Sequence, residues 1–141
     1  MREARGSCRC PGGRLTAVPT RVLNFDSIFS SADLAVLLRD KHGFLPLSAW
    51  LAADCASVAS ELGYGLNAIA VPFGSGTDAA AFAEAGIDAT ALIGLPTSLF
   101  AKGHIYHTMQ DTLERIEPEA VDTVFHIAIN CIARNDQALS S

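Results

Sequence analysis

Residues 103–118, GHIYHTMQDTLERIEP, hold the densest set of reactive side chains in the chain. His104 and His107 stand three apart, Tyr106 adjoins the second, and Asp111-Thr112 follow. A neutral imidazole is a natural zinc ligand, and so is a carboxylate. A phenol can donate a hydrogen bond to an oxyanion. A carboxylate behind an imidazole can orient it through its other nitrogen. His107, Tyr106 and Asp111 offer these three types. An ordinary polar turn ahead of a helix is the other reading of the same stretch, and residue types alone leave both open. A second carboxylate, Asp26, ends the apolar run VLNFD. Ligands of open α/β sheets gather at the carboxyl ends of strands. Asp26 is placed for that, although a strand-end Asp also serves to cap a turn.

The elements that must position these groups follow from apolar patterning. VLNFDSI and LAVLL, residues 34–38, read as buried strands, with a turn over Asp40 to Gly43. Leu47, Leu51, Cys55, Val58 and Leu62 share one helical face, so the spacing predicts a helix over 47–62 with Cys55 in the core and Gly63 as its stop. AIAVPF, 68–73, predicts a strand. GSGTDAAAFAEAGI predicts a helix capped by Thr77 or Asp78 and stopped by Gly86. ATALIGL, 89–95, is the next strand, and its following loop can carry 103–112 to the same edge of the sheet. Pro118 opens a last helix whose buried stripe is expected at Val121, Val124, Phe125, Ala128 and Ile132. His126 falls on the opposite face and reads as a solvated histidine. Alternating strands and helices give an α/β class with a mainly parallel sheet flanked by helices.

Length supports one domain. Residues 1–20, rich in Gly, Pro, Arg and Cys, read as an irregular or disordered head, 21–135 as the folded α/β domain and 136–141 as a tail. Five of the ten basic residues lie within the first 21 positions, opposed only by Glu3. The rest of the chain is strongly acidic, which argues against a nucleic-acid partner, because phosphate binding needs clustered cations. No run reaches the roughly 20 apolar residues that span a bilayer. Cys8, Cys10, Cys55 and Cys131 do not make a disulfide framework in a chain of this size, and Cys8-Arg-Cys10 lacks a second ligand pair for a metal. No apolar leader core follows Met1, so the default expectation is a reducing, cytoplasmic compartment. A start further upstream would leave secretion open.

VLNFDSI, then GTDAAAFAEAGIDATALIGL, then YHTMQDTLERIEPEAV resembles the later part of the catalytic domain of the di-zinc aminopeptidases, metallopeptidase family twenty-eight. The resemblance covers about residues 21–135. It implies a zinc-exopeptidase-like fold that acts on peptide or aminoacyl substrates through metal-activated water. Asp26 then looks like a carboxylate ligand of one zinc, and His107 like the imidazole ligand of the other. Tyr106 looks like the phenol that steadies the tetrahedral intermediate. Asp111 and Thr112 look like the brace behind His107. Asp78 looks like a helix cap that also supports the site from behind, and His104 has no matching role.

The family site needs more. It uses a His-x-Asp whose Asp bridges both metals, and a Glu-Glu pair that supplies the general base and a ligand. This chain has no histidine before His42, no Asp before Asp26, and no Glu-Glu. Each zinc would keep one protein ligand, where catalytic zinc usually takes three. The expectation is therefore a truncated portion of a zinc peptidase, lacking the first strands and helices and inactive as it stands. Strand Val22–Asp26 would then leave an unpaired edge through which the chain self-associates. A non-catalytic binding or dimerisation module on the same fold is the alternative. A glutaminyl-cyclase-like transferase is a third, and no residue here favours it.

Overall fold

The computed structural model describes residues 9–10, 13–14, 20–70, 76–95, 108–109 and 111–139. Within the head, β1 (Arg9–Cys10) and β2 (Gly13–Arg14) pair antiparallel, Arg9 opposite Arg14 and Cys10 opposite Gly13. The head is thus not wholly irregular. The two short strands flank Pro11-Gly12, a dipeptide suited to turns.

The main sheet is built from β3 (Arg21–Ile28), β4 (Ala35–Asp40), β5 (Leu45–Pro46), β6 (Asn67–Ala70) and β7 (Asp88–Gly94). Its order is β3-β7-β4-β5, with β6 on the other side of β4. The two long ladders, β3 with β7 and β4 with β6, are parallel. The short pairings of β4 with β7 and with β5 are antiparallel. The sheet is therefore mixed, and its long ladders are the parallel ones expected. β7 lies between β3 and β4 and is buried from Ala89 to Gly94. A strand covered on both faces needs a continuous apolar run, and ATALIG provides one.

Two apolar clusters sandwich the sheet. On one face Leu34, Val36 and Leu92 meet α1 (Ala49–Glu61) through Ala52, Cys55, Val58 and Ala59. The same cluster takes in α3 (Pro118–Leu139) through Ala120, Val124, Ile127 and Cys131. On the other face Ala35, Leu37, Ala89, Ala91 and Ile93 meet Ala79 of α2 (Asp78–Glu84). Both glycine stops are present. Gly63 and Gly86 each take φ +79°, and the following residues, Tyr64 and Ile87, donate back to Ala59 and Phe82. That is the Schellman pattern, open to glycine because it has no Cβ to clash.

Two expectations need correction. The buried face of α3 is Ala120, Val124, Ile127, Ala128 and Cys131, whereas Val121, Phe125 and Ile132 are exposed. The close approach of α3 to α1 selects small residues, Ala120 and Cys131, over the bulkier apolar ones beside them. Thr77 flanks α2 but makes no side-chain cap bond. Its hydroxyl instead donates to buried Asp40, at 2.7 Å from Oδ2. His126 is exposed, as read, and its Nδ1 hydrogen-bonds the Tyr64 hydroxyl at 3.0 Å.

Gly94 lies in a close approach between β7 and the chain leaving β3. A Cβ there would sit 3.0 Å from Leu34 Cδ2 and 3.3 Å from Ile28 Cα and Phe29 N. Two of the three contacts are backbone and cannot swing aside. Gly94→Ala is expected to cost about 1–3 kcal/mol by overpacking. Urea unfolding should show a lower midpoint at unchanged slope.

Candidate metal centre

Asp26 stands near the carboxyl end of β3, opposite Ile93 of β7. The ladder is interrupted directly after it. Asp26 pairs with Ile93 and Ile28 with Gly94, so Ser27 is an extra residue, and it takes φ +53°. A left-handed conformation at a non-glycine residue is uncommon, and strand bulges often sit beside functional sites, where they re-aim a side chain. The Ser27 hydroxyl donates to Asp26 Oδ1 at 2.8 Å, holding the carboxylate from its own chain.

The segment that follows β7 is anchored at both ends beside Asp26. At its start, Gly94 O accepts from Phe29 N (3.0 Å) and Ser30 N (2.9 Å). At its finish, Glu117 N donates to Phe29 O (2.8 Å) and Ser31 N donates to Glu117 Oε2 (2.8 Å). Residues 29–31, immediately past Asp26, therefore grip both Gly94 and Glu117. The reactive cluster lies between those two grips in sequence. Tyr106, His107 and His104 themselves lie outside the described residues. Asp111 is exposed, and its N–H donates to Thr108 O at 3.1 Å. Thr112 precedes a 3-10 turn, Leu113–Arg115, and its hydroxyl holds the Glu114 carboxyl below the usual range.

Asp78 is the first residue of α2 and is exposed. Its neighbour Thr77 binds Asp40, whereas the β4 residue level with Asp26, across Ile93, is Ala35. Five residues of strand span roughly 16 Å. The described contacts thus group Asp78 with Asp40 and not with Asp26. Two residues that sequence reasoning passed over organise this region. Asp40, read as part of a turn, is a buried acceptor for Thr77 and Lys41 N. Glu117, next to Pro118, is the second. An acid at a helix start is a recognisable signal, but its partner Ser31 is 86 residues away.

The Ser31 N–H lowers the Glu117 carboxyl below its ordinary value. A depressed folded-state pKa gives stability that is present above the unfolded value and lost as pH falls through the folded one. Glu117→Gln should thus be less stable than the parent near neutral pH. The gap should close once acid protonates the parent's carboxylate, as thermal melts across pH will read.

Among the described residues no three His, Cys, Asp or Glu side chains converge as a metal site. Asp26 is one carboxylate, short of the three protein ligands a catalytic zinc takes. The described donors do not fit a zinc ion by themselves.

A mixed sheet with helices on both faces is the architecture of a zinc-exopeptidase-like α/β domain. Two solved structures of BSAP, a zinc aminopeptidase from Bacillus subtilis, share the fold, with TM-scores of 0.62 and 0.61 at 21% sequence identity. Each comparison covers 82% of this chain and 28% of that one, so the chain spans little more than a quarter of the solved structures it matches. The family model of peptidase family M28 matches residues 17–132, and the chain belongs to that family. No curated protein matches it.

Proposed function

We propose that this chain carries one part of a zinc-dependent, aminopeptidase-like active site and is not competent alone. Asp26 supplies a carboxylate to one metal and His107 an imidazole to the other. Tyr106 steadies the oxyanion, and Asp111 braces the loop. Asp78, at the Asp40 end of β4, is left out of this site. Bound zinc would supply the activated water and polarise the scissile carbonyl. The bridging carboxylate and the general base come from polypeptide beyond these 141 residues, and a terminal peptide bond is the substrate. The observation that carries this reading is the double grip of residues 29–31 on Gly94 and Glu117. It keeps both ends of the His107 segment beside Asp26.

Zinc content of the purified chain, measured after dialysis against a weak chelator, tests it. Far less than one zinc per chain and no hydrolysis of aminoacyl substrates are expected. One or two tightly held zincs would overturn the ligand count. Joined to polypeptide bearing His-x-Asp and Glu-Glu, the chain should gain metal and activity. There, His107→Ala or Asp26→Ala should cost more than the roughly 10–100-fold that a supporting partner is worth.

One observation favours the second reading, a binding or dimerisation module. Among the described residues β3 pairs only with β7, leaving its outer edge unpaired. Beside it Phe25, Ile28, Val121, Val124, Phe125 and Ala128 line an apolar groove of about 240 Å³. Phe25 is 47% exposed and Phe125 59%. Such an edge invites pairing with another chain. A concentration-independent monomer in light scattering would remove this reading.

A further inference from the structure

The sulfurs of Cys55 on α1 and Cys131 on α3 lie 3.6 Å apart inside the helix–helix contact. Both residues are buried and both are free thiols. A small surface cavity of about 70 Å³ is lined by Arg21, Leu23, Leu51, Cys131, Ile132 and Asn135. We propose that Cys131 and Cys55 form a peroxide-sensitive dithiol that closes to a disulfide between α1 and α3.

Three features carry this. The cavity is lined in part by Cys131 and, at about 70 Å³, has room for a molecule the size of hydrogen peroxide. Its rim offers the Arg21 guanidinium and the Asn135 side chain, and Arg21 Nη1 donates to Asn135 Oδ1 at 2.6 Å. These polar groups suit a small polar oxidant at an otherwise apolar contact. The partner sulfur is already in van der Waals range. A disulfide needs about 2.05 Å, so the two side chains together must close by about 1.6 Å. The hydrogen bond between the two sulfurs lowers the Cys131 thiol below its ordinary value, against burial and the Asp54 carboxylate and with a smaller contribution from Arg134, and the same bond together with burial pushes the Cys55 thiol up. Cys131, which lines the cavity, is therefore the thiol that meets the oxidant, and Cys55 the one that resolves.

The chemistry balances. The Cys131 thiolate attacks one peroxide oxygen, the O–O bond breaks, and water leaves after protonation, giving a sulfenic acid. The Cys55 sulfur then attacks the Cys131 sulfur, the S–O bond breaks, and a second water leaves with the Cys55 proton. Two thiols are oxidised by two electrons and one peroxide is reduced to two waters.

The test uses the whole chain with Cys8 and Cys10 changed to serine, treated with stoichiometric hydrogen peroxide and then alkylated under denaturing conditions. Intact mass should fall by about 2 Da with no alkylated thiol, and peptide mapping should join Cys55 to Cys131. The thermal midpoint should rise by several degrees, because the crosslink closes a loop of more than seventy residues. In Cys55→Ser the reaction should stop at a sulfenic acid on Cys131, trapped by dimedone. Two alkylatable thiols remaining after a dose that oxidises an exposed model thiol would overturn the proposal. So would crosslinks between chains only. The mapping needs no cysteine variant of the pair, so it decides even if Cys55→Ser does not fold.

Discussion

Leu92→Ala is expected to lower the unfolding free energy by about 3–5 kcal/mol, the upper range for removing a buried leucine side chain. Leu92 is fully buried in β7 and pairs in register with Phe25 of β3 and Val36 of β4. Its side chain belongs to the cluster that joins α1 and α3 to the sheet. The surroundings are two strands and two helices, so they cannot collapse into the space without moving a whole element. A domain of this size is commonly stable by about 5–15 kcal/mol. The variant should therefore fold weakly or not at all, and denaturant unfolding followed by circular dichroism will read which. Leu113→Ala is the control, because Leu113 is exposed and should change little.

Asp40→Ala is expected to cost about 2–4 kcal/mol, from loss of charge-assisted hydrogen bonds and from the donors left without a partner. Asp40 is 1% exposed and accepts from Lys41 N, Thr77 N and Thr77 Oγ1. Among the described residues its partners are these three neutral donors. These bonds tie the end of β4 to the start of α2. Their loss should free α2 before the rest of the sheet, and amide exchange should quicken in 78–84 ahead of β7. Asp40→Asn keeps the shape and one acceptor oxygen and should fall between. Equal stability of Asp40→Ala and the parent would mean that α2 is held by its alanine packing alone.

Sequence reasoning reached those parts of the fold that short-range chemistry dictates. β3, β4, β7 and α1 follow from apolar runs and helical spacing, and the stops at Gly63 and Gly86 follow from the conformation only glycine takes easily. The buried face of α3 did not follow. That helix carries apolar residues on more than half its circumference, and only the approach of α1 decides that Ala120, Ile127 and Cys131 go inward. Short-range geometry offers Thr77 or Asp78 as the cap of α2, yet a carboxylate 37 positions away takes the Thr77 hydroxyl. For the candidate centre, Asp26 was legible as a polar residue ending an apolar run. The bulge behind it and the grip of residues 29–31 were not, because each depends on pairing between strands and loops distant in sequence. Tyr106 and His107 rest on the family pattern.

Ser27 resets the phase of its strand. Leu23 and Ile28 pack against the α1–α3 side of the sheet, and Val22 against the α2 side. Leu23 and Ile28 are five positions apart, so strict alternation would turn them to opposite sides. By the same alternation Asp26 shares the side of Val22, and Ile28 would follow it there. The inserted residue separates them, leaving the carboxylate on one side and returning the isoleucine to the core on the other. Flattening the bulge while keeping Ser27 would set an ionisable group and an apolar anchor to compete for the same side of one strand. Deleting Ser27 instead would place Ile28 directly after Asp26, still on the opposite side and level with Gly94, so the core anchor would stay and only the hydroxyl that holds the carboxylate would be lost.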